Sequence, residues 1–157
     1  MNKTIYLAGG CFWGCQKYFD LMRGVSETEV GYANGPTANP SYEEVKRHSG
    51  HAETVRVVYD PDILPLASLL DSYFKVIDPT SVNKQGEDAG IQYRTGIYYT
   101  DEADLPTIRE RMALLAAQYE KPLAVEVRPL ECFYSAEEYH QKYLEKNPHG
   151  YCHIRFD

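Results

Sequence analysis

The chain has 157 residues and a formal net charge of -7, from 16 basic and 23 acidic side chains. Its lysines and arginines form no cluster, so we do not expect it to bind nucleic acid. Hydrophobic residues make up 43% of the chain and charged residues 25%, a composition typical of globular proteins. A chain of this length buries about 70% of its unfolded surface, so we expect a single domain over residues 1–157.

The apolar run near the N terminus extends only from Ile5 to Ala8, which is shorter than the core of a signal peptide. No other run approaches the length of a transmembrane helix. We therefore expect a cytoplasmic protein that does not interact with membranes. The four cysteines should then stay reduced, so we interpret them first as reactive or packing residues rather than as structural disulfides.

Hydrophobic periodicity predicts short strands and helices along the whole chain. In chain order, the predicted elements are a strand at 4–8, a helix at 11–24, strands at 25–32 and 52–59 with a short helix at 42–48 between them, a helix at 66–77, a strand at 94–100, a helix at 105–119, a strand at 124–130 and a helix at 136–146. Residues 79–92 lack periodicity, and we expect them to form an ordered, functional loop.

Two local patterns mark helix starts. Ser41 with Glu44, and again Ser135 with Glu138, have the spacing of a capping box. With the helix at 42–48 treated as an insertion, the first elements follow the strand, helix, strand, strand, helix, strand order of ferredoxin-like folds. We therefore expect an α+β fold: a ferredoxin-like core with a mixed sheet and packed helices, followed by a strand, a helix and an irregular tail.

Cys11 lies in the sequence GGCFWG, where the first predicted strand turns into the first helix. Two glycines allow a sharp turn, and the amides at the start of a helix lower the pKa of a nearby thiol. Position alone leaves a buried, unreactive cysteine equally open. Trp13 lies off the apolar stripe of the helix and could form an aromatic wall beside the sulfur, whereas core packing explains Phe12 equally well.

GGCFWG, GHAETVRVVYDP, GEDAGIQYR and AEEYHQKYLEKNPHGYC follow one another along the chain. In this order the four motifs resemble the A-type peptide methionine sulfoxide reductases over nearly the whole sequence. The resemblance implies reduction of the S epimer of methionine sulfoxide, free or in proteins. It also implies a sulfenic acid on Cys11 and regeneration by thioredoxin, chemistry that the oxidation ladder of cysteine permits. No cofactor and no metal ligand is expected.

Loss of the sulfoxide oxygen requires an acid that is neutral near pH 7. Strand alternation places Glu53 on the apolar face with Val55 and Val57, where desolvation would raise its pKa, and the resemblance gives the acid role to this glutamate. It also implies that further side chains bind the substrate or a water molecule in the site. The contacts that the resemblance implies are Tyr42, Asp88 and Tyr93, and the position beside the sulfur adds Phe12 and Trp13 as predicted substrate contacts.

The resemblance implies that Cys152, in the C-terminal tail, resolves the sulfenic acid by forming a disulfide with Cys11. We interpret Cys15, which shares the apolar stripe of the first helix, as a packing residue. Cys132 could pack or act as a second resolving thiol. Two other classes remain open: a structural zinc site built from Cys11, Cys15, Cys152 and His153, and a non-catalytic thiol sensor. The glutamate on the apolar face argues against the sensor.

Overall fold

The structure is a computed structural model and describes residues 2–47 and 49–150. Within these residues the strands are β1 (Lys3–Gly9), β2 (Val25–Ala33), β3 (Ala52–Tyr59), β4 (Lys84–Gln85), β5 (Asp88–Ala89), β6 (Thr95–Tyr99), β7 (Glu126–Pro129) and β8 (Phe133–Ser135). The α-helices are α1 (Phe12–Asp20), α2 (Tyr42–Lys46), α3 (Leu66–Phe74), α4 (Leu105–Ala116) and α5 (Tyr143–Lys146). Short 3-10 turns occupy Ile91–Tyr93, Glu102–Asp104 and Glu138–His140.

The main sheet has the strand order β7-β6-β1-β3-β2-β8. Its four central strands pair antiparallel, with β1 between β3 and β6 and with β2 on the far side of β3. This is the arrangement expected for the strand, helix, strand, strand, helix, strand order, so the predicted ferredoxin-like core is confirmed. The edge strand β7 makes the sheet mixed, because it runs parallel to β6, whereas the other edge strand, β8, pairs antiparallel with β2.

One face of the sheet carries the main hydrophobic core. Fully buried side chains from β1 and β3 meet the apolar stripes of α1, α3 and α4 there. Representative members of this core are Leu7, Phe19, Val55, Leu69 and Ile108, none more than 1% exposed. Burying a large apolar side chain contributes about 1.5 to 3 kcal/mol, so this face supplies most of the driving force for folding.

The turn from β1 into α1 depends on its two glycines. Gly10 has a φ of 89°, a left-handed conformation that favours glycine. A Cβ on Gly9 would lie 3.1 Å from the Sγ atom of Cys15 and 3.1 Å from Ile77. The absence of side chains here lets the backbone turn sharply and lets α1 pack closely against the sheet. The helix then ends at Asp20, before Gly24, whose φ of 102° marks the turn into β2.

One of the two predicted capping boxes is present and the other was wrong. Ser41 Oγ accepts from the amide of Glu44 at 3.1 Å, and the Glu44 carboxylate accepts from the amide of Ser41 at 3.1 Å. Ser135, by contrast, ends β8 and pairs with Gly31, so its backbone is extended and no helix begins at residue 136. Pairing with the edge of β2 outweighs the local capping pattern, and only a short 3-10 turn and α5 follow.

The loop at residues 79–92 is ordered by a hairpin and by one glutamine. Strands β4 and β5 pair antiparallel within it. The buried side chain of Gln85 accepts from the amide of Asp78 at 2.7 Å and donates to the Asp78 carbonyl at 2.9 Å. These bonds fix the loop against the end of α3 and hold Asp88 in place. Among the described residues, no helix is long and apolar enough to cross a membrane.

Candidate active site

Cys11 is the N-cap residue of α1, directly after the glycine turn that ends β1. Its backbone is extended, with φ -60° and ψ 121°, and only 6% of the residue is exposed. The thiol therefore sits at the mouth of the helix, as the sequence predicts, but it is nearly closed off from solvent in the ligand-free protein.

The expected decrease in the pKa of Cys11 was wrong for this state. Burial raises the pKa of the thiol above its ordinary value, and the nearby Glu53 raises it further. The backbone amide of Trp13 acts in the opposite direction but is outweighed. The helix-terminal amides do favour the thiolate, but desolvation of a buried anion is the larger effect.

Glu53 lies on β3, on the core face of the sheet, and is 1% exposed. Its Oε1 atom accepts from the backbone amide of Phe12 at 3.3 Å. Oε2 is buried and has no hydrogen-bond partner among residues 2–47 and 49–150. Burial raises the pKa of this carboxyl to about 8, against a weaker opposing effect of the Phe12 amide. Near pH 7 the group is therefore mostly protonated and able to give up a proton.

The two groups are coupled through the start of α1, because Glu53 bonds the amide of the residue that follows Cys11. Each raises the free energy of a negative charge on the other in this dry environment. Only one of them is readily ionised at a time. The arrangement thus holds a thiol and a carboxylic acid together with their protons until a substrate arrives.

The structure brings Tyr42, Asp88 and Tyr93 into the same neighbourhood as Cys11 and Glu53. Burial raises the pKa of both tyrosines, and Glu53 is the next largest cause for each. Asp88 raises the pKa of Glu53 in turn. The tyrosines therefore remain neutral hydrogen-bond donors at neutral pH. Tyr42, Asp88 and Tyr93 come from three separate segments, which are α2, the hairpin strand β5 and the 3-10 turn before β6.

The two aromatic residues after Cys11 have different surroundings. Phe12 is 1% exposed and packs in the main core, 5.7 Å from the ring of Tyr32. Trp13 is half-buried and is not among the buried residues of α1, as predicted, although it packs against the margin of the core. Its indole stacks on Tyr143 at 3.8 Å between centroids and 13° between planes. A substrate role for Phe12 stays a prediction, because its ring is almost wholly occupied by core contacts.

The other cysteines differ in environment. Cys15 is 1% exposed within the core, and its thiol donates to the carbonyl of Gly9 at 3.3 Å. Cys132 is half-buried, with its thiol 3.5 Å from the carbonyl of Gly35. Cys152 and His153 lie outside the described residues, so the predicted disulfide and the alternative zinc site stay predictions. The environment of Cys15 fits the predicted packing role.

A family model for peptide methionine sulfoxide reductase matches residues 3–157. The chain belongs to the peptide methionine sulfoxide reductase family. It is 66% identical to peptide methionine sulfoxide reductase MsrA of Lachnoclostridium phytofermentans, with 98% of this chain and 93% of that protein covered. The family resemblance predicted from the four motifs is therefore confirmed.

Solved structures of yeast Mxr1 share the fold of this member of the reductase family. The reduced form of Mxr1 from Saccharomyces cerevisiae matches with a TM-score of 0.93 at 37% identity, covering 98% of this chain and 91% of that one. Mxr1 in complex with Trx2 matches with a TM-score of 0.65 at 28% identity, covering 90% and 84%. The α+β fold expected for the family is thus confirmed on solved relatives.

The sequence did not predict the residues that hold the side chains of the reductase-family site through hydrogen bonds. Glu137 accepts from the amide of Tyr42 at 3.0 Å and from the hydroxyl of Tyr32 at 2.8 Å. His140 is fully buried and accepts the indole N–H of Trp13 at Nδ1, at 2.9 Å. These contacts span 95 to 127 residues of sequence, so no local pattern could have indicated them.

Proposed function

We propose that this protein reduces methionine sulfoxide to methionine, and that it acts on the S epimer, free or within proteins. One observation carries the proposal. The buried carboxyl of Glu53, with a pKa of about 8, accepts from the first amide of α1, directly after the buried thiol of Cys11. Membership of the reductase family supports the same reaction. The catalytic unit is a single domain of residues 1–157.

Cys11 is the nucleophile and Glu53 is the general acid. The sulfur of Cys11 attacks the sulfoxide sulfur while Glu53 gives its proton to the leaving oxygen. The thiol proton of Cys11 replaces the one that Glu53 loses. The attack forms a bond between the Cys11 sulfur and the substrate sulfur, and the S–O bond of the substrate breaks. The oxygen then bonds to the Cys11 sulfur as hydroxide while the new S–S bond breaks and leaves its electron pair on the methionine sulfur. Methionine sulfur thus gains two electrons, the Cys11 sulfur loses two, and Cys11 becomes a sulfenic acid. The pair needs no additional charge in its dry surroundings, because it ends the step as neutral as it began.

Five further side chains hold the sulfoxide. The neutral hydroxyls of Tyr42 and Tyr93 can donate to its oxygen, and Asp88 orders a water molecule or a phenol beside it. The indole of Trp13, backed by Tyr143, offers an apolar surface to the methyl group. Phe12 closes the pocket at its buried edge. Their convergence around Cys11 and Glu53 supports this assignment.

Regeneration requires a second thiol, which we assign to Cys152. Its thiol condenses with the sulfenic acid of Cys11, releasing water and forming a disulfide. A thioredoxin dithiol then reduces the bridge and restores both thiols. The similarity to Mxr1, whose structure with Trx2 is solved, supports thioredoxin as the reductant. Because this chemistry requires reduced thiols, we place the protein in the cytoplasm.

Stereospecific turnover tests the proposal. The wild-type protein is incubated with a racemic mixture of methionine sulfoxide and dithiothreitol, and the two epimers are separated chromatographically. We expect the S epimer to disappear and the R epimer to remain. A non-catalytic thiol sensor would consume neither epimer beyond one equivalent of protein. Absence of multiple turnover by the reduced protein would therefore refute the proposal.

A Cys152→Ser variant tests the regeneration step. We expect it to reduce about one equivalent of methionine sulfoxide and then to stop when thioredoxin is the only reductant. Cys15→Ser and Cys132→Ser are the controls, and both should cycle. Peptide mapping of the wild-type protein after one turnover identifies the bridge. A disulfide from Cys11 to Cys15 or Cys132, with Cys152 still reduced, would overturn the assignment.

A further inference from the structure

Glu137 is a partly buried carboxylate that the proposed reaction does not use. It precedes the 3-10 turn Glu138–His140, and its two oxygens have different partners. Oε2 accepts from the backbone amide of Tyr42 at 3.0 Å, and Oε1 accepts from the hydroxyl of Tyr32 at 2.8 Å. Both oxygens are thus directed into the protein, although the neighbouring carboxylate of Glu138 is exposed.

Helix α2 needs an anchor of this kind because it is short. It has five residues, and Val45 is the only one of them that is buried. Isolated helices of this length are not stable in water, so tertiary contacts must fix the position of α2. Its capping box, from Ser41 and Glu44, lies within the segment itself and cannot determine where the helix sits on the domain. The bond from the Tyr42 amide to Glu137 does determine it, because the two residues are 95 positions apart.

The bond from Tyr32 holds the carboxylate itself in place. Tyr32 is fully buried on β2 and is paired in register with Glu53 on β3, so its ring lies on the core face beside the proposed acid. Burial raises the pKa of Glu137, but the amide of Tyr42, the amide of Glu137 itself and the hydroxyl of Tyr32 lower it, and the net shift is downward. Glu137 is therefore ionised at neutral pH, and hydrogen bonds to a charged acceptor are stronger than those between neutral groups.

We infer that Glu137 is a positioning residue, whose carboxylate anchors the first residue of α2 to the sheet and so holds the Tyr42 hydroxyl at the substrate oxygen. Helix α2 and strand β2 reach the site separately, and the two oxygens of this one side chain connect them. This inference rests on the proposed function, because the contact of Tyr42 with the sulfoxide belongs to that proposal. The anchoring bond itself exists without substrate, so it can be measured without turnover.

The first experiment measures the anchoring bond by amide hydrogen exchange, followed by NMR. We expect the Tyr42 amide to exchange faster by about tenfold or more in Glu137→Ala, because the amide then loses its acceptor. Glu138→Ala is the matched control. It removes a carboxylate from the adjacent position, where the side chain is 89% exposed, and it should leave the exchange of the Tyr42 amide unchanged. Equal exchange rates in the wild-type protein and in Glu137→Ala would overturn the inference.

The second experiment measures kcat and KM for methionine sulfoxide with dithiothreitol as the reductant. We expect Glu137→Ala to lower kcat/KM by about tenfold, the scale of one hydrogen bond to a charged group. Glu137→Gln should lose less, because its amide oxygen can still accept from the Tyr42 amide, and the Tyr32 hydroxyl can turn to accept from its amide nitrogen. Glu138→Ala should stay within about twofold of the wild-type protein. Equal losses in Glu137→Ala and Glu138→Ala would indicate an effect of net charge and would overturn the inference.

A double-mutant cycle separates positioning from a general contribution to stability. Tyr42→Phe removes the hydroxyl but keeps the ring and the backbone amide, so the bond to Glu137 remains in this variant. In the Tyr42→Phe background, Glu137→Ala should therefore have little further effect on kcat/KM. It should still lower the midpoint of thermal unfolding as much as it does in the wild-type background, because the same anchoring bond is lost.

The outcomes distinguish this inference from the proposed function. If the kinetic losses of Glu137→Ala and Tyr42→Phe multiply, the carboxylate does not act through the phenol, and the positioning role is overturned. A loss in Glu137→Gln equal to that in Glu137→Ala would also overturn it, because glutamine retains an acceptor for the Tyr42 amide. If the wild-type protein shows no turnover, the proposed function fails, while the exchange experiment still decides whether Glu137 anchors Tyr42.

Discussion

Replacing Glu53 by glutamine removes the transferable proton and leaves the other properties of the site nearly unchanged. Glutamine has nearly the shape of glutamate, and its side-chain oxygen can still accept from the amide of Phe12. It cannot transfer a proton to the sulfoxide oxygen. General acid catalysis contributes about 100- to 10,000-fold, so we expect kcat to fall by roughly 100-fold or more, while the protein remains folded.

The pH dependence provides a second magnitude. With a folded-state pKa of about 8, Glu53 is mostly protonated at pH 7 and loses its proton above pH 8. The wild-type rate with dithiothreitol should therefore decline as the pH rises through about 8, and the residual rate of Glu53→Gln should show no such decline from this group. If the rate of Glu53→Gln stays within twofold of the wild-type rate at every pH between 6 and 9, the acid role is refuted.

The same pKa predicts a stability difference. An unfolded glutamate ionises near pH 4.3, so between about pH 4.3 and 8 the folded state binds more protons than the unfolded state. Stability from this group is fully present below about pH 4.3 and is lost as the pH rises through 8, by on the order of 5 kcal/mol, because each pKa unit corresponds to about 1.4 kcal/mol. Urea unfolding of the wild-type protein and of Glu53→Gln, at pH 5 and at pH 8, measures this loss of stability. We expect the wild-type protein to lose more stability than Glu53→Gln over this interval, and equal losses would contradict a buried carboxyl with a raised pKa.

Two further substitutions test the site. Cys11→Ser should abolish detectable reduction in the same chromatographic assay while the thermal unfolding curve stays close to wild type, because a serine hydroxyl without a partner base is a poor nucleophile; activity near wild type would move the nucleophile elsewhere. Trp13→Ala should lower kcat/KM by about tenfold or more through loss of an apolar contact worth about 1.5 kcal/mol, and wild-type kinetics would exclude the indole from the pocket.

Patterns that depend on neighbouring residues could be predicted from the sequence. The strand before Cys11, the glycine turn and the helix that follows all rest on spacing within about twenty residues. The placement of Glu53 on the core face follows from the two-residue period of a strand, since Val55 and Val57 are buried on the same face. Its high pKa was predicted for the correct physical reason, because burial is its largest cause.

Features that depend on distant parts of the chain could not be predicted. Ser135 has a capping-box pattern, but pairing with Gly31 more than one hundred residues earlier makes it the end of a strand. The direction of the pKa shift of Cys11 required knowledge of how deeply α1 and its neighbours bury the thiol. The bond between Trp13 and His140 likewise joins residues 127 positions apart.

The antiparallel sheet divides the molecule into two ends with different demands on the sequence. Neighbouring strands run in opposite directions, so the end of β1 lies beside the starts of β3 and β6. This end of the sheet carries Gly9, Glu53 and Thr95. At the opposite end of the strands, Lys3 is paired in register with Tyr59 and forms an ion pair with Asp104. None of the proposed catalytic residues within 2–47 and 49–150 lies at this end. A short insertion in the connection at 60–65 would therefore alter a surface far from the chemistry, so this connection is a suitable attachment point for a label or a fused domain.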